Sequence, residues 1–192
     1  MKLYFATGNQ KKCDEVKSNM PNWIELKCQK INLPEKQTLD LIEISYQKAL
    51  VAFNKLKKPV IVDDTGFYLE AYNNFPWPLA KYVMEGIGYK GFKRLVEWVS
   101  PKAKFVAVIS YMDSNLLEPV SFIWEMPGEL DFSDMDKEID PKVKKYFPYN
   151  LIFRPRGSKK LYRRFDEEQT KAISHRAKAI KKLLTWLHQK KV

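Results

Sequence analysis

Lys2-Leu3-Tyr4-Phe5-Ala6-Thr7-Gly8-Asn9-Gln10-Lys11-Lys12, at the head of the chain, decides the fold class. Leu3 to Ala6 form an apolar run of strand length, and Gly8 permits a tight bend. Cys13, Val16 and Met20 then recur at helical spacing until Pro21 stops the run. Strand, glycine turn and helix in that order aim a helix N-terminus outward. Thr7, Gly8, Asn9 and Lys12 there offer backbone N–H groups, an amide and a cation to a phosphate. A plain glycine turn, with Asn9 as helix cap and Lys12 in solvent, accounts for the same letters, so support must come from elsewhere.

Two other segments supply it. Pro59-Val60-Ile61-Val62 is an uncharged, β-branched run that reads as a central strand, and it stops at Asp63-Asp64-Thr65-Gly66. Acids at the C-terminal tip of a buried strand lie where ligands bind in open α/β sheets, and adjacent carboxylates there can hold Mg²⁺ and activate water. An Asp-Asp-Thr-Gly turn is the plainer alternative. Near the end of the chain Ser174 reads as a helix cap, and Ile173, Ala177, Ile180, Leu184 and Leu187 read as an apolar face. His175 and Arg176 then project from a first helical turn, suited to an anionic or carbonyl-bearing ligand.

Further strands are expected at 24–28, 67–71, 105–112, 120–124 and 151–153, with helices at about 39–56 and 91–99. Strands and helices that alternate, with a strand pair in the middle, predict a mixed α/β sheet. The 192 residues, 45% hydrophobic, suffice for one core, and no linker divides them, so 1–192 is read as a single domain. The segment 129–145, rich in Asp, Glu and Lys, reads as a surface excursion. No apolar run approaches a membrane span or a signal-peptide core, and the two distant cysteines suggest no disulfide framework; a cytoplasmic protein is expected. The net charge of +11 comes from lysines spread along the chain, including Lys178, Lys181 and Lys182 on the polar side of the last helix. That spread argues for solvated faces and against a nucleic-acid partner.

The ordered set of T-G-N-x-x-K at 7–12, Leu33-Pro34-Glu35, Gln47-Lys48-Ala49, Val62-Asp63-Asp64-Thr65-Gly66, Phe75-Pro76 with Lys81, and Ala172-Ile173-Ser174-His175-Arg176 resembles the inosine triphosphate pyrophosphatase family along essentially the whole chain. The resemblance implies an elongated twisted sheet flanked by helices, two lobes with a nucleotide cleft between them, and a homodimer. It implies Mg²⁺-dependent hydrolysis of ITP, dITP or XTP to a monophosphate and pyrophosphate, with Mn²⁺ able to substitute. Thr7, Gly8, Asn9, Gln10, Lys11 and Lys12 would line the triphosphate, with Lys12 also catalytic. Glu35 and Asp64 would hold the metal, and Asp64 would orient or deprotonate the water. Lys48, Lys81 and Thr65 would lie on the phosphate side. Phe147, Pro148, Tyr149 and Asn150 would bind the base, with Lys171 beside it, and His175 and Arg176 would read its 6-keto edge. Glu43, inside a helix, reads as structural.

Departures from that family's pattern gather around the base. Pro148 stands for a glycine and Asn150 for an acid, Lys171 is displaced by one position, and Trp77 and Trp124 each replace a glycine. Two alternatives stay open: the same chemistry retuned to another nucleotide, or a catalytically silent basic module that binds nucleotides or RNA.

Overall fold

Strand β1 (Lys2–Ala6) pairs in parallel with β2 (Glu25–Gln29) on one side and β3 (Val60–Leu69) on the other, so the first helix α1 (Gln10–Ser18) is a crossover between neighbours. The computed structural model describes residues 1–34, 38–134 and 148–190. Its seven-stranded sheet runs β2-β1-β3-β5-β6-β7, with the short β4 (Pro76–Trp77) antiparallel to β3. β5 (Lys102–Met112) neighbours β6 (Val120–Leu130), and β7 (Phe153–Pro155) is antiparallel to β6, which makes the sheet mixed and the fold α/β. The remaining helices are α2 (Leu41–Leu56), α3 (Ala80–Val96), α4 (Glu167–Ile173) and α5 (His175–Gln189). No helix among the described residues is long and apolar enough to cross a membrane.

The chain forms two compact units, one of residues 1–65, 107–124 and 175–192, the other of 66–106 and 125–174. In the first, the alternation of strand side chains sorts the core into two layers. Leu3, Phe5 and Ile61 face α1 and α5 and pack with Val16, Ile180 and Leu183, whereas Tyr4, Ala6, Val60 and Val62 face α2 and pack with Ala49 and Ala52. The second unit has an aromatic core in which Phe67 stacks on Tyr149 at 4.2 Å and Phe105 meets Phe153 edge-on at 4.8 Å.

Several expectations are corrected. β3 does not end at Val62 but continues through both acids to Leu69, so Asp63 and Asp64 are strand residues on opposite faces rather than a tip. Helix α3 begins at Ala80, eleven residues before the expected start. Gly88, at φ 59°, kinks it and breaks the periodicity that would have revealed it. β6 runs on past Trp124 despite Pro127 and Gly128. The glycine is needed because a Cβ there would lie 2.3 Å from the Arg154 carbonyl oxygen of β7. The expected strand at 151–153 is a 3₁₀ turn over Pro148–Leu151 followed by β7. The last helix does begin at His175 directly after Ser174, as expected, and the short α4 precedes it. The two cysteines are joined: Cys13 of α1 and Cys28 of β2 form a disulfide. Trp77 sits at φ 53°, left-handed backbone that explains why glycine suits its position.

Candidate active site

Everything at this site follows from the alternation along β3. Asp63 points to the layer of α1 and α5, where Lys12 and Arg176 reach it. Lys12 Nζ lies 2.7 Å from Asp63 Oδ2 and also donates to the Asp63 carbonyl at 2.9 Å, and Arg176 Nε donates to the same Oδ2 at 3.0 Å. Arg176 Nη1 meets Glu15 of α1, and Nη2 donates to Thr65 Oγ1 at 3.3 Å. Asp64 points to the other layer, where Lys48 of α2 donates to Oδ1 at 2.5 Å. Asp64 Oδ2 and Asp63 Oδ1 are buried with no hydrogen-bond partner among the described residues.

The two neighbouring carboxylates therefore titrate apart. Burial would raise both, but for Asp63 the charges of Arg176 and Lys12 outweigh it and hold the carboxyl well below the usual range. For Asp64 burial wins over Lys48 and Lys12, and its pKa is raised despite the ion pair. A carboxylate pushed upward is the better base, and one clamped between cations is the better anchor. Burial, reinforced by the charges of Arg176 and Lys12, pushes His175 down to about 3, so its imidazole is neutral near pH 7. Arg176 is held ionised because Asp63 and Glu15 outweigh its burial.

Ahead of this cluster, Asn9 caps α1 by accepting from the Lys12 N–H at 3.2 Å, and Thr7 Oγ1 accepts from the Asn9 N–H at 3.1 Å. Thr7, Gly8, Asn9 and Gln10 line a small cavity of about 160 Å³ with Cys13, Cys28 and Lys30. Lys11 lies on the exposed side of the same turn, and Gln10 turns along its own helix to Asp14 at 2.7 Å.

Thr7, Gly8, Asn9, Gln10, Lys11, Lys12, Lys48, Asp64, Thr65, His175 and Arg176 thus all belong to the first unit. Lys81, Pro148, Tyr149, Asn150 and Lys171 belong to the second. There Tyr149 is fully buried, stacked on Phe67, and donates its hydroxyl to the Ala80 carbonyl at 2.8 Å, which anchors the turn that carries Pro148 and Asn150. Lys81 is exposed on α3, 3.8 Å from Glu85, and Lys171 is exposed on α4. Glu35 and Phe147 lie outside the described residues. The sequence reads Asp63 with Asp64 as adjacent acids able to hold a metal, and carries no local sign that Asp63 pairs instead with Lys12 and Arg176. Glu15 has no role in that reading and is legible only as the residue three beyond Lys12 on one helix face.

The model of the Ham1 family matches residues 3–186. The chain belongs to the Ham1 family. It is 34% identical over 188 residues to the dITP/XTP pyrophosphatase of Methanopyrus kandleri, covering 97% of this chain and 96% of that protein. Identity is 32% over 188 residues to the inosine triphosphate pyrophosphatase of Pyricularia oryzae, covering 97% and 93%. Among solved structures the Ham1 protein of Staphylococcus aureus superposes with a TM-score of 0.78 at 24% identity, over 99% of this chain and all of that one. That likeness shows the fold.

Proposed function

We propose that this Ham1 protein hydrolyses the α–β phosphoanhydride of non-standard purine nucleoside triphosphates, ITP, dITP and XTP, releasing the monophosphate and pyrophosphate. The observation that carries this reading is the split between Asp63 and Asp64: adjacent buried carboxylates, one clamped by Lys12 and Arg176, the other raised in pKa with one oxygen unengaged. The names of the curated relatives point to the substrate class.

In this reading Asp64 Oδ2 orients the attacking water, while Lys48 holds the carboxylate through Oδ1. Lys12 commits two of its three N–H donors to Asp63 and turns the third, with the first-turn amides of α1, toward the departing phosphates. An unengaged buried carboxylate oxygen is a hard donor that fits Mg²⁺, and Asp64 with Glu35 would hold it. The bound ion would screen the phosphate charge and lower the pKa of its water. His175, neutral and buried in the first turn of α5, supports selection of the purine's 6-keto edge, where a 6-amino group would leave polar atoms unpaired. Arg176 reaches that edge only by yielding contacts to Asp63, Glu15 and Thr65, so its contribution is the more conditional. A homodimer belongs to the same proposal, as does a cytoplasmic location, which the Cys13–Cys28 disulfide argues against.

A panel of nucleoside triphosphates with Mg²⁺, scored for pyrophosphate release, tests it. ITP and XTP are expected to exceed ATP in kcat/KM by up to about 10⁴-fold, with weaker rejection of GTP, whose 6-keto group is the same. Equal values for ITP and ATP overturn the keto-purine reading.

A further inference from the structure

Three lysines that read in the sequence as a solvated face of the last helix lie beside aromatic side chains in the fold. Lys178, Lys181, Lys182, Thr185 and Gln189 of α5 lie against Phe122 and Trp124 of β6 and Trp186 of α5, and these eight residues of the first unit line an open groove of about 500 Å³. Three of them are lysines, three are aromatic and none is acidic. Lys182 Nζ donates to the Ile123 carbonyl at 2.8 Å and stands 5.1 Å from the centre of the Trp124 ring. Trp186 is fixed edge-on against Tyr111 and Phe122, each at 5.6 Å. Trp124, one of the two tryptophans set apart in the sequence, keeps 38% of its surface exposed in mid-strand, and Lys181 and Lys182 are exposed beside it.

The partly exposed Trp124 ring, which Lys182 approaches on one side, stands near Lys178 and Lys181 and offers a stacking face and charge neutralisation together, the pairing that suits a base joined to phosphate. The extent of the groove selects among such ligands. From Lys178 to Gln189 the helix rises about 17 Å, and the groove is open along it, whereas a free nucleotide is better held in an enclosed pocket. The chain's net charge of +11 favours a polyanion as ligand. None of the lining residues belongs to the Lys12, Asp63 and Arg176 cluster, so this site stands apart from the proposed hydrolysis. We propose that the groove binds single-stranded nucleic acid, with phosphates against Lys178, Lys181 and Lys182 and a base stacked on Trp124.

The test is fluorescence anisotropy of a labelled oligothymidylate, and of a duplex of equal length, titrated with the full chain. Expected is preference for the single strand, with a logarithmic salt slope of about 2 for three lysine contacts. Trp124→Ala should weaken binding about tenfold, and Lys178→Glu combined with Lys181→Glu at least as much, the lysine variant leaving pyrophosphate release from ITP unchanged. The lysine pair, with Lys178 half-buried and Lys181 exposed, keeps the test decisive if Trp124→Ala does not fold. Equal affinity for duplex and single strand, or affinity unmoved by the lysine variant, overturns the proposal. So does absence of binding together with a lysine variant that converts a dimer to a monomer by light scattering, which would assign the groove to a second copy.

Discussion

Asp63 and Arg176 are 113 residues apart in sequence and meet at 3.0 Å, Nε to Oδ2, tying the strand that carries the site to the first turn of α5. Lys12 shares that oxygen from α1, so one buried carboxylate joins three elements of the first unit. Breaking a buried pair leaves uncompensated charge, which costs about 3 kcal/mol or more. Asp63→Asn should therefore lower the stability by that order in urea denaturation, and raise KM because Lys12 loses its anchor. An unchanged unfolding midpoint would show that the clamp is dispensable.

The neighbouring substitution should behave in the opposite way. Burial already penalises the Asp64 charge more than Lys48 relieves it, so an amide there costs less stability than at Asp63, the remaining cost being the Lys48 ammonium left without its carboxylate. If Asp64 activates the water, Asp64→Asn lowers kcat about 10²-fold or more while the fold persists. Excess chelator should abolish turnover of the parent protein, and Mg²⁺ or Mn²⁺ restore it. Near-normal turnover in the variant, or pyrophosphate release undiminished in chelator, would remove Asp64 or the metal from the mechanism.

Acid should weaken the fold through His175. Its folded pKa of about 3 lies below the unfolded imidazole value of 6.5, so the native state binds fewer protons between them. The stability this contributes is fully present above about pH 6.5 and is lost as pH falls toward 3, at up to about 1.4 kcal/mol per pH unit. Asp63, also depressed, adds a loss only below its ordinary carboxylate range. Asp64, raised by burial, has the opposite sign: its contribution is lost as pH rises through its folded value. The chain's other histidine, His188, is exposed. Urea titrations between pH 7 and about 4.5 should show the slope, and His175→Gln should flatten it. An equal slope in the variant would assign the proton uptake elsewhere.

What could be read beforehand followed the reach of local physics. The β1 turn into α1 carried its own signals in an apolar run, a glycine and an Asn cap, and the structure agrees with each. The two acids of β3 read as a strand end because the lysines and arginine that neutralise them come from positions 12, 48 and 176. Helix α3 was cut short because Gly86, Gly88 and Gly91 dilute its periodicity. Within the candidate site the ionisable groups were legible as letters. Their partition into an anchoring Asp63 and a basic Asp64 needed the alternation of a strand that had been thought to stop.

The disulfide was illegible for the same reason, since fifteen residues separate Cys13 from Cys28 and only the parallel pairing of β1 with β2 brings them together. Closing a loop of that length restricts the unfolded chain by about 3 kcal/mol in the chain-entropy model, a large part of a typical domain's stability. Native protein denatured without reductant should therefore show no titratable thiol, and reductant should lower the urea midpoint. Cys13→Ser combined with Cys28→Ser should reproduce the reduced midpoint and no longer respond to reductant, because the constraint acts on the unfolded state and needs both sulfurs. Identical midpoints with and without reductant would mean that the bond contributes nothing to stability, and that packing of the buried Cys13 against its layer already fixes α1 on the sheet.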